Sequence, residues 1–304
     1  MPTHNPIAPS LTLVGHGVIS SLLATHALHA DIAYQQLSRT QAPPRNVAWL
    51  DGQHYGLATP VPIDGLSTES VFHGLVIVPT KAYQVDNALQ WLQGKLAQDT
   101  VLLLLHNGLG TATLATTLFP DHTILLGTTS MAGYLRDNTI MHTAFGHTQY
   151  GVIQDRGLPQ LIQDYLTHLF PAQTFADDIY PALYTKLAVN CAINPLTAIH
   201  NIQNGVLAQP QYAADIECIV QEVVHIATCN GVALSTRQTL ATVQRVIVDT
   251  ATNYSSMHQD IKHSRPTEVD FINGFVVREA NKYGVQVPQN ERLLKHIHML
   301  EGRL

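Results

Sequence analysis

Two continuous apolar runs in the first half of the chain, Leu75–Val78 and Val101–Leu105, restrict the possible folds most strongly. Apolar runs without polar alternation are typical of strands that are buried on both faces, as in a parallel sheet covered by helices. Between these runs, from Val85 to Leu96, apolar residues recur at the spacing of a helix. A strand, a helix and a second strand form the crossover unit of a parallel sheet. The first half is therefore predicted to be a doubly wound α/β domain.

The second half of the chain changes character, because helical periodicity replaces the strand-like runs. We predict helices over Leu161–Phe170, Pro181–Ile199, Tyr212–Cys229, Thr236–Lys262 and Pro266–Tyr283. Pro266 fits the first turn of its helix, where a missing N–H costs nothing. The break falls near Phe175–Ile179, so the predicted domains are an α/β domain over residues 1–177 and an all-α domain over residues 178–304.

Composition excludes several classes of protein. Charged residues make up 12% of the chain, hydrophobic residues make up 45%, and the formal net charge is −6. Such a chain has enough apolar surface to fold, and it has no Lys/Arg-rich run for binding nucleic acid. Its apolar runs are shorter than the roughly 18 residues of a membrane span, and the N-terminus lacks the pattern of a signal peptide.

The cysteine and histidine patterns are also informative. Three cysteines without a CxxC pair favour a reducing, cytoplasmic setting over a disulfide framework. Cys191, within a predicted helix, is interpreted as a small core residue. The 17 histidines form no two-ligand helix motif, so we expect no metal site.

A glycine-containing turn follows the first predicted strand. The run Leu11–Val14 leads directly into Gly15, His16, Gly17, Val18, Ile19 and Ser20, and an apolar helical pattern follows. Gly15 allows a tight turn, and Gly17 lets the backbone approach a pyrophosphate at the helix N-terminus. These six residues are predicted to bind a dinucleotide, which makes the first domain Rossmann-type. The alternative is a turn without a ligand, and Ser20 departs from the usual third glycine.

The choice of dinucleotide depends on the end of the second predicted strand, Ile32–Leu37. A carboxylate there binds a ribose 2′-hydroxyl, whereas an arginine accommodates a 2′-phosphate. Ser38 and Arg39 follow the strand, and no carboxylate does. The pattern therefore favours NADP over NAD, with Arg39 at the 2′-phosphate, unless Arg39 is an ordinary solvated side chain.

Further polar residues occur where packing alone would not place them. Lys81 and Asn107 follow predicted strands at their carboxyl ends, the side where open α/β sheets bind ligands. Lys186, Asn190 and Asn194 are spaced four apart, which places them on one stripe of a helix.

The segments that contain these residues are GHGVIS, TKAYQ, HNGLGT, KLAVNCAINPLTAI, SSMHQDI and TEVDFINGF. In content, order and spacing they resemble the ketopantoate reductase (2-dehydropantoate 2-reductase) family along nearly the whole chain. The resemblance implies an NADP-dependent oxidoreductase that reduces ketopantoate to pantoate in pantothenate biosynthesis. It further implies a 2-keto acid held in the cleft between the domains, and a monomer or homodimer.

The resemblance also implies roles for single residues. Lys186 matches the lysine that donates a proton to the ketone oxygen, and a cation there would stabilise the developing charge. Glu268 matches the glutamate that orients the substrate, and it is also expected near the cofactor. The alternative is that Glu268 only stabilises the helix predicted to begin at Pro266, as a carboxylate in its first turn. Lys186 could likewise be a surface lysine.

The other expected contacts come from the same resemblance. Asn190 and Asn194 are expected to bind the substrate hydroxyl, Ser256 the substrate carboxylate, and Asn204 another part of the substrate. Asn107 is expected to contact both substrate and cofactor, and Lys81 the cofactor. The alternatives are a helix irregularity before Pro195 for Asn194, a turn residue for Asn204, and a solvent-facing position for Ser256.

Two other functions remain open from the sequence alone. The chain could be a paralogue that reduces another branched 2-keto acid. It could instead be an NADP-binding regulator that lost its chemistry, although the retained Lys186 and Glu268 argue against this.

Overall fold

The computed structural model describes residues 10–63, 66 and 70–304, which form two compact units. One unit contains the described residues up to His106 together with Thr111–Ile179, and the other contains Asn107–Gly110 and Tyr180–Leu304. The division after Ile179 lies two residues beyond the predicted boundary. The segment Asn107–Gly110, expected in the first domain, instead groups with the second unit.

The first unit is built on an eight-stranded sheet. The strands of the described residues, in chain order, are β1 (Leu11–Val14), β2 (Tyr34–Ser38), β3 (Arg45–Trp49), β4 (His54–Ala58), β5 (Pro60–Pro62), β6 (Leu75–Val78), β7 (Val101–Leu105), β8 (Thr123–Thr129), β9 (Ala132–Arg136), β10 (Thr139–Ala144), β11 (Thr148–Gln154) and β12 (Gln173–Phe175). The large sheet has the order β12-β11-β8-β7-β6-β1-β2-β5, and β11 runs antiparallel to β8. The strands β1, β6 and β7 are buried along their whole length, as the apolar runs predicted.

Helices connect the parallel strands of this sheet. The helices of the first unit are α1 (Val18–His29), α2 (Ala82–Leu92), α3 (Ala112–Leu118) and α4 (Gln160–Leu169). The helix α2 turns its apolar positions Val85, Leu89 and Leu92 inward, and it joins β6 to its parallel neighbour β7. This is the crossover unit that the sequence predicts.

A second, four-stranded sheet of order β4-β3-β10-β9 was not predicted from the sequence. It packs against α1, which also contacts β1 and β2 of the large sheet. The helix α1 is therefore covered on opposite sides, and residues all around it are buried. Its small polar residues Ser20, Ser21 and Thr25 are fully buried for this reason.

The second unit is helical, as predicted, so the fold class of an α/β domain followed by an all-α domain is confirmed. Its helices are α5 (Tyr180–His200), α6 (Ala213–Cys229), α7 (Thr236–Asp249), α8 (Ser256–Lys262), α9 (Asn273–Tyr283) and α10 (Pro288–Leu300). The helix α5 is central, because α6, α7, α8 and α10 all pack against it. Within the described part of the chain, no helix is long and apolar enough to span a bilayer.

Two predicted helices of this unit were wrong in their extent. The predicted helix Thr236–Lys262 is divided into α7 and α8, because Ser255 caps a new helix by accepting a hydrogen bond from the backbone N–H of His258. The predicted helix Pro266–Tyr283 begins only at Asn273, after a short 3-10 turn over Val269–Phe271. Pro266 is thus not in a first helical turn.

Candidate active site

The glycine turn after β1 has the strained geometry that its sequence predicts. Gly15 has φ = +103°, a region that favours glycine, and a Cβ atom there would lie 2.9 Å from Cγ2 of Thr80. The backbone N–H of Gly15 donates to the carbonyl of Leu37 at 2.9 Å, which fixes the turn beside the end of β2.

Ser20 stabilises this turn rather than disturbing it. Its Oγ donates to the carbonyl of Gly15 at 2.6 Å and accepts a hydrogen bond from Nε2 of Gln36 at 2.8 Å. The side chain is fully buried. The departure from a third glycine is therefore accommodated, because the hydroxyl satisfies a backbone carbonyl inside the turn.

The N-terminus of α1 offers unused donors and open space. Gly17 is the N-cap residue, no side chain caps the helix, and no acidic residue lies in its first turn. A Cβ atom at Gly17 would meet no atom within 4 Å beyond its chain neighbours. Among the described residues, the buried Nε2 of His16 has no hydrogen-bond partner. An anion such as a pyrophosphate fits this combination of free N–H groups, helix dipole and space.

His16 is neutral at physiological pH. Burial lowers its pKa, the positive charge of Arg45 acts in the same direction, and together they bring the pKa to about 4. Arg45, the first residue of β3, donates a hydrogen bond from Nη1 to the backbone carbonyl of His16. Sequence reasoning missed Arg45, because the small sheet that carries it was not recognised.

The two cationic residues predicted for cofactor binding, Arg39 and Lys81, lie at strand ends. Arg39 is exposed and follows Ser38, the last residue of β2, whose hydroxyl donates to the carbonyl of Thr40 at 2.7 Å. Lys81 is partly buried and is the N-cap residue of α2, close behind β6. Both are at carboxyl ends of parallel strands, as predicted.

In the second unit, Lys186, Asn190 and Asn194 all lie on the central helix α5. Their four-residue spacing within one continuous helix places them on the same side of it. Lys186 and Asn190 are partly buried, and Asn194 is buried. The Nδ2 atom of Asn190 is buried without a hydrogen-bond partner among the described residues, so it is a donor available to a ligand.

The electrostatic surroundings of Lys186 are set by burial and one carboxylate. Burial lowers the pKa of Lys186 from its ordinary value to about 8, while the negative charge of Glu268 acts in the opposite direction. Glu268 is 4% exposed, and its Oε2 accepts a hydrogen bond from Nδ2 of Asn107 at 3.1 Å. Three predicted residues from distant parts of the sequence thus form one cluster.

Asn107 reaches this cluster through a close backbone approach. Gly108 has φ = +80°, and a Cβ atom there would lie 2.1 Å from the carbonyl oxygen of Phe271. The backbone N–H of Leu109 donates to that same oxygen at 3.0 Å. A glycine is therefore required beside Asn107, and it holds the segment against the turn that follows Glu268.

The remaining predicted substrate residues lie around α8 and the end of α5. The carbonyl of Asn194 accepts hydrogen bonds from Oγ1 of Thr197 at 3.1 Å and from Oγ of Ser255 at 3.4 Å. Ser256 is exposed at the start of α8. Asn204 is buried, and its Nδ2 donates to Oγ1 of Thr250 at 2.9 Å, while its Oδ1 has no hydrogen-bond partner in the described structure.

Pro195 lies inside α5 without ending it. A proline removes the hydrogen bond to the carbonyl four residues earlier, here that of Cys191. Nδ2 of Asn273 donates to this carbonyl at 3.2 Å and to Oδ1 of Asn290 at 2.9 Å. Both asparagines are fully buried, so the helix that bears Lys186 is completed by side chains of α9 and α10.

The described part of the site contains neither a reactive cysteine nor a cluster of metal ligands. Burial raises the pKa of the Cys191 thiol, and the charge of Glu222 raises it further, so the thiol is protonated and not nucleophilic. Across residues 10–63, 66 and 70–304, no group of three or more His, Cys, Asp or Glu side chains is arranged to hold a metal ion.

Comparison with known proteins identifies the family of the chain. The family model described as ketopantoate reductase PanE/ApbA matches residues 12–155, and the model of the C-terminal part of the same family matches residues 178–301. A 2-dehydropantoate 2-reductase from Vibrio cholerae is 36% identical over 295 residues, which cover 96% of this chain and 98% of the relative.

Solved structures show the same fold at lower identity. A ternary structure of D-mandelate dehydrogenase with NADH and anilino(oxo)acetate matches with a TM-score of 0.86 at 23% identity, over 96% of this chain and 98% of that one. A dimeric ketopantoate reductase from Staphylococcus aureus matches with a TM-score of 0.81 at 18% identity, over 96% and 98% of the two chains. Both family models and a full-length relative therefore agree with the predicted family: the chain is a member of the ketopantoate reductase family.

Proposed function

We propose that this protein reduces ketopantoate (2-dehydropantoate) to pantoate with NADPH, and that Lys186 donates the proton. The family membership and the full-length relative named 2-dehydropantoate 2-reductase support the reaction. When bound, NADPH supplies the hydride that adds to the C2 carbonyl carbon of the substrate. The residues of the chain bind both molecules, orient the ketone and deliver the proton to its oxygen.

The observation that carries the proposal is the environment of Lys186. A proton donor works best when its pKa lies near the operating pH, and burial brings the pKa of Lys186 to about 8. As the carbonyl oxygen gains negative charge, the ammonium group of Lys186 stabilises that charge and then transfers a proton to it. Glu268 keeps this ammonium protonated, because its negative charge opposes the lowering of the pKa.

Other polar groups bind and orient the substrate in this proposal. Glu268, held by Asn107 at 3.1 Å, orients the substrate hydroxyl beside Lys186. Asn190 offers an unused buried Nδ2, and Asn194 follows it one turn later on α5. The exposed hydroxyl of Ser256 binds the substrate carboxylate, and Asn204, with its unpaired Oδ1, supplies a further contact.

In this proposal most of the cofactor contacts come from residues of the first unit. The turn Gly15, His16, Gly17, Val18, Ile19 and Ser20 binds the pyrophosphate through backbone N–H groups. Arg39 and Lys81 add positive charge at the ends of β2 and β6. Asn107 and Glu268 contribute contacts to the cofactor as well as to the substrate.

The test is turnover with purified protein. We expect loss of NADPH absorbance on addition of ketopantoate, with pantoate identified as the product by NMR. The Lys186→Ala variant should bind NADPH as the wild type does and reduce the substrate far more slowly. Absence of turnover by wild-type protein that binds NADPH would contradict the proposal and favour a regulatory binding protein.

A panel of branched 2-keto acids separates this function from that of a paralogue. We expect kcat/KM to be highest for ketopantoate, because its terminal hydroxyl satisfies the polar groups of Asn190 and Asn194. An analogue that lacks this hydroxyl would leave them unpaired, and rejection of such analogues is strong when a site is built to bind a hydroxyl. Equal or higher values for an analogue without the hydroxyl would identify a different physiological substrate.

We also propose that the protein is a monomer or homodimer in the cytoplasm. The reported dimer of the S. aureus ketopantoate reductase, which has the same fold, supports the homodimer. The three free cysteines, Cys191, Cys218 and Cys229, fit a reducing compartment. Light scattering at several concentrations would measure the assembly, and cell fractionation would test the location.

A further inference from the structure

Glu268 stands at the start of a short turn that has few hydrogen bonds of its own. The 3-10 turn covers only Val269–Phe271. The carbonyl of Glu268 accepts hydrogen bonds from the backbone N–H groups of Phe271 at 3.0 Å and of Ile272 at 3.1 Å. Because 3-10 turns of this length have poor hydrogen-bond geometry, contacts with other parts of the second unit are needed to hold Glu268 in place.

The segment that contains Asn107 supplies two of these contacts. Nδ2 of Asn107 donates to Oε2 of Glu268 at 3.1 Å. The backbone N–H of Leu109 donates to the carbonyl of Phe271 at 3.0 Å. Both ends of the turn are therefore tied to the segment that the proposed function places at the substrate.

Charged side chains at the end of α10 and just beyond it hold the same turn through Asp270. Oδ1 of Asp270 lies 2.8 Å from Nε2 of His298, and Oδ2 lies 2.8 Å from Nη1 of Arg303. The same Nη1 atom lies 2.9 Å from Oε2 of Glu301. Oε1 of Glu301 accepts a hydrogen bond from the backbone N–H of Thr267 at 2.7 Å. We call His298, Glu301 and Arg303 the α10 bracket.

The bracket keeps Asp270 ionised. Burial raises the pKa of this carboxyl, but the hydrogen bonds and positive charges of Arg303 and His298 outweigh burial and hold the pKa below its usual value. Nη1 of Arg278, on α9, also donates to the backbone carbonyl of Asp270 at 2.7 Å. A connected network of this kind restrains its members more firmly than an isolated surface ion pair does.

The position of the turn matters for Lys186. Glu268 and Asp270 are two residues apart and have different partners, since Glu268 contacts Asn107 and Asp270 contacts the α10 bracket. The negative charge of Glu268 raises the pKa of Lys186 against the effect of burial. An interaction between charges weakens as their distance grows, so a displaced turn would weaken this effect.

We propose that Asp270 is a positioning residue, which the α10 bracket holds so that the carboxylate of Glu268 stays beside Lys186 during proton transfer. This inference rests on the proposed function, because it assigns Asp270 a part in the reaction of Lys186 and Glu268. The recorded partners of the Asp270 carboxylate are His298 and Arg303. Asp270 therefore acts through the turn and without contact with the substrate.

The experiment measures kcat for ketopantoate reduction as a function of pH in wild-type protein and in the Asp270→Asn and Arg303→Ala variants. We expect kcat to fall about tenfold in Asp270→Asn, because slight misplacement of a group in an active site is costly. The fall should be smaller in Arg303→Ala, since His298 still holds Asp270. In both variants the rate should decline at lower pH than in the wild type, because Glu268 supports the protonated form of Lys186 less well.

The direction of the two shifts separates positioning from a direct effect of charge on Lys186. Loss of the negative charge of Asp270 would directly lower the pKa of Lys186, whereas loss of the positive charge of Arg303 would directly raise it. Positioning predicts that both variants shift the pH profile of kcat to lower pH. Shifts in opposite directions would overturn the inference.

A double-mutant cycle with Glu268→Gln gives a second readout that a merely structural role would not produce. In the Glu268→Gln background, Asp270→Asn should displace the pH profile no further, because the carboxylate that it positions is gone. A displacement as large as that in the wild-type background would overturn the inference.

Asp215→Asn is the matched control. Asp215 lies 2.9 Å from Arg292 in an ion pair of the same unit, and its side chain is 40% exposed, compared with 36% for Asp270. This control should leave kcat and its pH profile unchanged. Thermal unfolding checks that each variant is folded, and Arg303→Ala and Arg303→Lys carry the test if Asp270→Asn is not. Arg303→Lys keeps the charge, so it should lie between Arg303→Ala and the wild type.

The failure of this inference differs from the failure of the proposed function. Wild-type protein that bound NADPH without turnover would refute the proposed function. Active wild-type protein with the same pH profile as Asp270→Asn and Arg303→Ala would refute only the positioning role of Asp270.

Discussion

The glycine turn of the first unit and the α5 stripe of the second are built by different means. The turn is made of backbone: Gly15 supplies its conformation, Gly17 leaves open space, and Ser20 closes it through a carbonyl. The α5 stripe consists of the side chains of Lys186, Asn190 and Asn194, and their electrostatic environment depends on residues that are distant in sequence. The pKa of Lys186 responds to burial and to Glu268. The conformation of the turn is therefore encoded locally, whereas the pKa of the lysine is a property of the packed unit.

The comparison predicts different responses to substitution. A change in the stripe should alter kcat and its pH dependence while the cofactor still binds. A change in the turn should alter the Kd for NADPH while the pKa of Lys186 stays the same. Each of the following experiments tests one side of this separation.

Lys186→Ala should have the largest effect. Loss of the proposed proton donor is expected to lower kcat about 10²- to 10⁴-fold, the usual contribution of general acid catalysis, without changing the Kd for NADPH. Steady-state kinetics and nucleotide titration measure the two quantities. Lys295→Ala, an exposed position on α10, is the matched control and should leave both unchanged. A rate equal to that of the wild type in Lys186→Ala would refute the assigned role.

Glu268→Gln should lower kcat by about 10- to 100-fold and displace its pH profile. Lys186 must be protonated to act as the donor, so the wild-type rate of reduction should be level below about pH 8 and fall above it. The carboxylate of Glu268 raises the pKa of Lys186, so its removal should move the fall to lower pH. Glu291→Gln, exposed on α10, is the control. A shift of the profile to higher pH in Glu268→Gln would contradict this electrostatic coupling.

Gly17→Ala should raise the Kd for NADPH about tenfold, because the new methyl group occupies the space proposed for the pyrophosphate. Folding should be unaffected, since Gly17 has an ordinary φ of −91°. Gly15→Ala provides the contrast: its φ of +103° and the contact with Thr80 should cost about 1–3 kcal/mol of stability. Calorimetry and urea unfolding separate the two effects. Equal destabilisation by both substitutions would mean that Gly17 is structural.

Ser20→Ala should have the smallest effect on catalysis. It leaves the Gly15 carbonyl without this hydrogen bond and the Gln36 amide with only its 3.4 Å bond to Ser21, which is expected to cost about 1–3 kcal/mol of unfolding free energy. The kcat value should not change. Ser21→Ala should cost less, because its hydroxyl accepts from Gln36 at 3.4 Å and does not contact the turn. An unchanged urea midpoint in Ser20→Ala would show that another group satisfies the carbonyl.

Part of the fold and of the candidate site could be predicted because the signals are local. Buried strands such as β6 and β7 appear as apolar runs, and the turn at Gly15 requires a particular residue type in a fixed position. The stripe Lys186, Asn190 and Asn194 follows from helical spacing alone. Asn107 was singled out by its place after a predicted strand, and the family resemblance added the role of Glu268. No local pattern connects either residue to Lys186.

The errors arose where the structure depends on contacts distant in sequence. The strand β3, which carries Arg45, is short and gains its place by packing on α1. The predicted helix over Thr236–Lys262 overlooked the Ser255 cap, since helical periodicity continues across the break. Asn107 was expected in the first domain because it follows β7, but Gly108 and Phe271 hold it with the second unit.

The sequence by itself determined the buried strands β1, β6 and β7, the helical character of the second unit, the glycine turn and the residues available for chemistry. Periodicity, glycine conformations and residue identity are properties of short segments, so they can be recognised without knowledge of the packing. The tertiary structure decided the pKa of Lys186, the pairing of Asn107 with Glu268, and the position of Arg45 at the turn. Burial and charge interactions depend on distances through space, and folding alone brings these residues together.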